Sequence, residues 1–377
     1  MSSLSQHKLA QDFLVDAPLH LGASRRVLLL VGGHTGRVGT ALLRLLVRER
    51  ARLITEHRVD FHLAGTVNRR AAHWHDPEAG WREDVIPRQG DDWRDILRRF
   101  RGYLGPKLFV DCTASEEVAH HYREFFEQGI GVVTPNKLAL SGSQKEYREL
   151  QVAAELLRLP YRYETTVGAA LPILGTLADL RASGDEVLRI EAVLSGTLSF
   201  LFQRLNHGMP FSAAVAEARA EGYTEPHPAE DLQAQDSARK LLILMREAGI
   251  PWEPERVQVK SLVPPELSEE TDPERFLTRL AAYDPNWAAD VERARKQGLR
   301  LTCLAEFDGR EARVSVTPVP AADPFAQLAA GENLLRVWTR RYQPVPLTIA
   351  GPGAGTEVTA AGLLTDLIKA VTGSRRV

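Results

Sequence analysis

Cysteine is almost absent: Cys112 and Cys303 are the two in 377 residues. They lie far apart, each in an apolar run of strand character, which argues against a disulfide framework and fits a reducing, cytoplasmic setting. Long hydrophobic runs are missing as well. No stretch approaches the ~18 apolar residues of a membrane span, and residues 1–25 carry too many polar breaks for a signal peptide. They read as an N-terminal extension with no assigned function. Neither sign of charge dominates: 47 basic and 49 acidic residues leave a formal charge of −2, which argues against a nucleic-acid or membrane-surface binder. Metal-ligand spacing is lacking too. His73 and His75 have no Cys, Asp or Glu set at zinc-like intervals and read as surface histidines. With 44% apolar and 25% charged residues, the chain has the composition of a globular enzyme and the length for two domains.

What is present begins with a nucleotide-binding pattern. Arg26 to Val31 is a continuous apolar run, as in a buried parallel strand. It ends in Gly32-Gly33-His34-Thr35-Gly36-Arg37-Val38-Gly39, after which Ala41, Leu42, Leu45 and Leu46 recur at helical spacing. Strand, glycine turn and amphipathic helix make the first unit of a Rossmann-type, doubly wound α/β fold, whose helix start receives a pyrophosphate. The spacing is Gly33-x-x-Gly36-x-x-Gly39, because His34 stands where Gly-x-Gly-x-x-Gly needs glycine. The second strand, near Phe61 to Val67, lacks the terminal acidic residue that grips a ribose hydroxyl. It ends in Asn68-Arg69-Arg70, which suits the 2′-phosphate of NADP, with NAD the alternative and Arg37 a further contributor. Residues 71–105 read as a helical insertion. Leu108 to Asp111 and Gly131 to Thr134 are further core strands, so Thr113, Ala114, Ser115, Asn136 and Lys137 follow strand ends, where this fold binds its ligand. A helix from about Gln144 to Leu157 completes the dinucleotide-binding domain, residues 26–155.

The middle, residues 156–339, reads as an α+β catalytic and dimerisation domain with a mixed sheet. Tyr161 to Glu164 is a short strand and Thr165 to Pro172 a tight loop. Val187 to Leu194 is strand-like. Ser195-Gly196-Thr197 then opens a helix; with no activating histidine it lines a pocket or caps rather than attacks. Leu262 to Gly298 reads as a polar helical connection. Leu301 to Phe307 and Ala312 to Val319 form a hairpin around Asp308-Gly309. Pro346 to Ala350 leads into a second glycine turn, Gly351 to Gly355, and a last helix, so residues 340–377 are expected to join the first domain.

The most informative stretch runs from Gly222 to Lys240. Gly222, Pro226 and Pro228 forbid a regular helix at first. Glu225, Glu230, Asp231 and Asp236 then place four carboxylates within twelve residues. Asp236 and Lys240, four apart, share one face of the helix that follows. An arbitrary pair at this spacing is a surface bridge of little energy. This one follows a stiffened acidic loop and opens an apolar helix, a setting that suits a lysine proton donor held by a carboxylate.

GYTEPHPAEDLQAQDSARKLLIL resembles the substrate loop and catalytic helix of homoserine dehydrogenases, in particular the dehydrogenase half of bifunctional aspartokinase–homoserine dehydrogenases. His227, Ala229 and Glu230 depart from the family pattern. DCTASEE, VVTPNKLAL, LSGTLSFLF and the final glycine turn resemble the same family in the same order, over roughly residues 26–372. The resemblance implies reversible NAD(P)H-dependent reduction of L-aspartate 4-semialdehyde to L-homoserine, in threonine and methionine biosynthesis; the strands of the mixed sheet suit the interface of a homodimer. It implies Lys240 as the catalytic lysine, with Asp236 beside it and Lys137 as a second lysine. Glu225, Asp236, Asp231 and Thr197 are then on the substrate. Gly33, Thr35, Gly36, Arg37, Val38, Gly39, Arg69, Thr113, Ala114, Ser115, Lys137 and Gly355 are on the cofactor. It further implies a monovalent cation, such as Na+, at Glu164 and the carbonyls of Val167, Ala169 and Leu171, with Ala170 replacing a family glycine. The two lysines are expected to converge on the reacting carbon, and neither a kinase half nor an effector module is expected. The alternatives are another semialdehyde or imine reductase of this fold, or a non-catalytic NADP-binding regulator.

Overall fold

The computed structural model describes residues 24–75, 83–88 and 92–373. The expected N-terminal extension, apart from its last residues, and parts of the expected insertion at 71–105 lie outside them. The described chain forms two compact units. One runs to Ala170 and resumes at Gly355; the other is Leu171–Ala354.

The first unit is built on a seven-stranded sheet. β1 (Arg25–Gly32), β2 (Val59–Val67), β3 (Ala71–His75), β4 (Glu83–Pro87), β5 (Lys107–Asp111), β6 (Gly131–Val133) and β7 (Tyr161–Arg162) are arranged in the order 4-3-2-1-5-6-7. β2, β1, β5, β6 and β7 run parallel, and β3 and β4 add an antiparallel edge. Val27 to Val31 are almost wholly buried because the sheet is covered on both faces. Leu42, Leu45 and Leu46 of the helix Arg37–His57 and Leu363, Leu364 and Leu367 of the helix Thr356–Thr372 close one side in a single cluster.

The expected helical insertion is corrected here. Residues 71–75 and 83–87 are hairpin strands, and among the described residues of this stretch a helix occupies only Trp93–Arg101. Ala72, Trp74 and His75 are buried on the sheet edge. The cause is alternation: inward Ala72 and Trp74 flank His73, the period of a strand rather than a helix. The surface assignment of the histidines falls with it, since His75 is buried and His73 half-buried. The run from Glu116 to Glu127 breaks at His121 into two short helices.

The second unit holds a six-stranded sheet. β8 (Val187–Val193), β9 (Val257–Val259), β10 (Leu299–Phe307), β11 (Ala312–Pro320), β12 (Glu332–Thr339) and β13 (Leu347–Pro352) lie in the order 13-12-8-10-11-9. It is mixed: β10 and β11 form the expected hairpin, and β9 joins β11 in parallel. Helices at Leu174–Ala182, Gly196–Asn206, Phe211–Ala220, Gln235–Glu247, Pro273–Leu280 and Asp284–Lys296 belong to this unit. β12, at Glu332–Thr339, was not anticipated, nor was the helix Phe211–Ala220.

The expected domain borders at 155 and 340 shift with the strand pairing. β7 hydrogen-bonds to β6 and so belongs to the first sheet, whereas β13 pairs with β12 in the second. The strand expected at Tyr161 to Glu164 stops at Arg162, and Glu164–Thr166 is a 3-10 turn.

Candidate active site

In the first unit the glycine turn makes a cradle. Gly33 has φ +73°, and a Cβ there would lie 2.8 Å from the Cys112 carbonyl oxygen. A Cβ on Gly39 would lie 2.5 Å from the Gly33 carbonyl oxygen. Neither position accepts a side chain. The helix begins at Arg37 with no side chain capping it, so its first N–H groups face outward, as a pyrophosphate requires. Thr35, Gly36 and Arg37 are exposed and Val38 half-buried. The cradle fits a dinucleotide. His34 packs its ring edge against His73 at 5.8 Å between centroids. Burial, then the neighbouring His73, hold its imidazole down to about 4, so it is neutral at pH 7.

At the end of β2, Asn68 Oδ1 accepts the backbone N–H groups of Arg70 (2.7 Å) and Ala71 (3.0 Å). This local turn presents the exposed Arg69 and Arg70 side chains.

Behind the other strand ends lies a buried network that the sequence did not disclose. Asp111 is fully buried. Its carboxylate accepts from Thr113 N–H (2.8 Å), Tyr122 hydroxyl (2.6 Å) and Asn136 Nδ2 (3.1 Å). Asn136 also donates to the Ser115 carbonyl at 2.9 Å. Burial pushes the Asp111 pKa up, and the donors oppose it. The network fixes the turns that carry Thr113, Ala114, Ser115 and Lys137, with Ala114 exposed and the other three half-buried. Cys112, at the end of β5, is free, as is Cys303, and burial pushes both thiols up.

The cation donors expected at 164–171 are divided between the units. Glu164, Val167 and Ala169 are buried in the first. Ala169 has φ +52° beside Gly168 at +73°, and the Glu164 N–H donates to Asp366 at 2.9 Å. Leu171 opens the second unit, where its carbonyl accepts from Ile173 N–H at 2.8 Å.

In the second unit, Lys240 projects from the helix Gln235–Glu247 with its side chain 13% exposed. Its Nζ lies 2.8 Å from Asp236 Oδ2 and 2.7 Å from the Leu194 carbonyl oxygen. Leu194 follows β8 directly and precedes Ser195, whose hydroxyl caps the next helix through Leu198 N–H. Two of the three ammonium N–H groups are therefore spoken for by a carboxylate and a carbonyl, and the third remains for a ligand. The carbonyl is a partner that no side-chain pattern could reveal.

Beside it, the acidic loop is tied down from within. Asp231 Oδ2 accepts Glu225 N–H at 2.8 Å. Thr197 Oγ1 lies 2.6 Å from the Tyr223 carbonyl oxygen and 3.0 Å from Asp231 Oδ1. The Tyr223 ring stacks on Phe200, centroids 4.6 Å apart. Burial raises the Asp231 pKa, against the Glu225 N–H and the Thr197 hydroxyl. Glu225 itself is exposed. The second unit thus brings Lys240 and Asp236 into contact, and Thr197, Asp231 and the Glu225 backbone into another connected group. An ammonium held beside positioned carboxylates can bind a zwitterion and pass a proton to an oxygen.

Comparison with known proteins agrees with this geometry. Residues 35–164 match the family described as homoserine dehydrogenase, NAD binding domain, and residues 172–368 the family described as homoserine dehydrogenase. A chloroplastic bifunctional aspartokinase/homoserine dehydrogenase of Zea mays is 36% identical over 343 residues, 89% of this chain; the chain spans 37% of that protein's length. A homoserine dehydrogenase of Schizosaccharomyces pombe is 36% identical over 308 residues, 76% of this chain and 82% of its own length. Among solved structures, a Candida auris protein of unknown function superposes with a TM-score of 0.83 at 31% identity, covering 92% of this chain and 98% of its own. A hyperthermophilic archaeal homoserine dehydrogenase mutant in complex with NADPH gives 0.70 at 22% identity, covering 93% and 99%, and supports the fold. Because the match continues through both units and covers most of the fission-yeast enzyme, the chain belongs to the homoserine dehydrogenase family.

Proposed function

We propose that the chain catalyses the reversible NAD(P)H-dependent reduction of L-aspartate 4-semialdehyde to L-homoserine. The observation that carries this reading is Lys240, its ammonium fixed between Asp236 and the Leu194 carbonyl. A bound nicotinamide supplies or accepts the hydride. Lys240 gives its proton to the oxygen of the aldehyde as that oxygen gains charge, and takes it back in the reverse direction. Asp236 holds the ammonium in place. Glu225 binds the substrate ammonium, and Thr197 and Asp231 set the loop that carries it. Lys137 is assigned as a second lysine of the reaction by family resemblance. Positioned proton transfer is worth ~10²–10⁴-fold, so Lys240→Ala should lower kcat by at least ~100-fold while NADPH binding, followed by fluorescence, stays near normal. A near-normal kcat would reduce Lys240 to a structural role.

The first unit is assigned to the dinucleotide and the second to catalysis and dimerisation. NADP preference is supported by the exposed Arg69 and Arg70 on their Asn68-held turn. The kcat/KM ratio for NADPH over NADH should fall in an Arg69→Ala, Arg70→Ala variant, and an intrinsic NADH preference would refute the assignment. The archaeal complex names NADPH for that protein. A monovalent cation at Glu164, Val167, Ala169 and Leu171 rests on family resemblance and is tested by the dependence of activity on Na+. A homodimer rests on the mixed sheet of the second unit, whose strands suit a subunit interface, and is tested by the mass of the protein in solution. Among the described residues no helix is long and apolar enough to cross a membrane. A cytoplasmic setting is supported by the free thiols.

A further inference from the structure

A cleft of about 460 Å³ opens in the second unit between the helix Asp284–Lys296, the β10–β11 hairpin and the segment that follows β9. None of its lining residues is among those assigned to the substrate or the cofactor. Its volume is in the range of small-molecule sites. Leu301 stands opposite Pro318 and Cys303 opposite Val316, so Leu301, Val316 and Pro318 share one face of the sheet and form a wall. Pro264 and Pro265 lie across from them and carry no N–H, so that wall asks for no hydrogen-bond acceptor. Trp287 supplies an aromatic surface. It is half-buried, and its ring packs on Phe211 at 4.7 Å and Phe202 at 6.0 Å between centroids. A fixed indole beside the half-buried Val316 and the exposed Pro318 is apolar surface left in water, and covering it is favourable.

The charges around the cleft are unbalanced. Arg293 Nη1 is paired with Asp290 Oδ1 at 2.9 Å, and the Tyr283 hydroxyl donates to Glu266 at 2.8 Å. Lys260 is exposed and pairs with no acidic group among the described residues. One uncompensated cation therefore borders an apolar, partly aromatic hollow, and its complement is a flat apolar body with one negative charge. We propose that this cleft is a second ligand site, for aromatic monocarboxylates, with the ring against Trp287 and Val316 and the carboxylate on Lys260. Two contacts lead from it to the acidic loop. The Leu262 N–H donates to the Leu232 carbonyl at 2.8 Å, and Leu232 follows Asp231, which accepts the Glu225 N–H. Phe202, against Trp287, lies on the helix Gly196–Asn206 that carries Thr197. A ligand that spreads the cleft pulls on both, so occupancy raises the KM for homoserine. This regulatory part rests on the reaction proposed above; the binding itself does not.

The test titrates 3-phenylpropanoate into the whole chain by calorimetry, with 3-phenylpropan-1-ol as its neutral counterpart. Val316→Trp fills the cleft from a half-buried position and should abolish binding of both. Lys260→Glu, at an exposed position, should weaken the carboxylate roughly tenfold, an exposed ion pair lost and a repulsion gained, and leave the alcohol within about twofold. Both variants should unfold at the wild-type thermal midpoint. If Val316→Trp fails to fold, Lys260→Glu decides alone. No binding by the wild type, carboxylate binding that survives Val316→Trp, or a Lys260→Glu variant that treats acid and alcohol alike overturns the inference. In homoserine oxidation, saturating 3-phenylpropanoate should raise the KM for homoserine at least about twofold in the wild type and not in Val316→Trp, with the KM for NADP unchanged. Binding without that change refutes the link to the loop. A wild type that binds the acid but does not turn homoserine over brings down the reaction and leaves the site standing.

Discussion

Asp231 shows how a single side chain carries more than one duty. Its two oxygens take the Glu225 N–H and face the Thr197 hydroxyl, so it orders the loop without touching the lysine. Burial raises its pKa above the ordinary carboxylate value, and the sign of the consequence follows. The folded state binds this proton more tightly than the unfolded state, so the contribution to stability is greatest below the unfolded pKa of ~3.9 and declines as pH rises through the folded one. Asp231→Asn should therefore gain stability relative to the wild type as pH rises from 4 to 7, read as urea midpoints across that range. An unchanged difference would mean that the carboxylate is effectively solvated. The same replacement should weaken homoserine turnover, because the amide presents an N–H where one carboxylate oxygen stood. Asp236→Asn tests the other carboxylate. Lys240 would keep the Leu194 carbonyl but lose its counter-ion, and kcat should fall on the order of ten- to a hundredfold with little change in the NADPH constant.

At the level of elements, close backbone approach is the recurring device. A Cβ on Gly39 would lie only 2.5 Å from the Gly33 carbonyl oxygen, too close for a methyl. Gly39→Ala should push the helix Arg37–His57 off the turn, weakening NADPH binding at least tenfold and lowering the thermal midpoint; calorimetry and titration read both. Gly353→Ala should displace the buried Asn333 side chain, since a Cβ there would lie 1.9 Å from its Cγ, and lower the thermal midpoint. Where periodicity and glycine spacing agreed, the elements were legible: β1, its turn and its helix, the β10–β11 hairpin, and the helix bearing Asp236 and Lys240. Legibility failed where a local pattern depended on distant neighbours. Ala71 to His75 became a strand because it pairs with β2 on one side and β4 on the other, and with no glycine or proline to punctuate it the run read as helix. β12 was missed because its residues Asn333 to Trp338 mix apolar and charged types without clean alternation, both faces being half or fully buried. In the site, charged side chains could be picked out by spacing, whereas the Leu194 carbonyl and the Asp111–Tyr122–Asn136 network could not. The first is backbone, and the second joins residues 25 apart through a pairing of strands.

On the scale of the whole molecule, the second unit is an insertion into the first. The chain leaves the seven-stranded sheet after Ala170 and returns only at Gly355. The returning helix supplies Ala360, Leu363, Leu364, Leu367 and Val371 to the core beneath β1. Asp366 accepts the Glu164 N–H, and Arg25 Nη1 donates to the Val371 carbonyl at 2.9 Å. Removing residues 356–377 should therefore unfold the nucleotide unit although every glycine of its turn remains. Loss of NADPH binding and rapid proteolysis within residues 24–170 would show it, whereas retained binding would mean the helix is dispensable. The same arrangement bears on synthesis. A ribosome that has made the nucleotide turn must still produce more than three hundred residues before the helix from Thr356, which seals it, emerges. Until then the apolar flank of that sheet is open to water and to chaperones, so the half of the chain that is translated first is the half that finishes folding last.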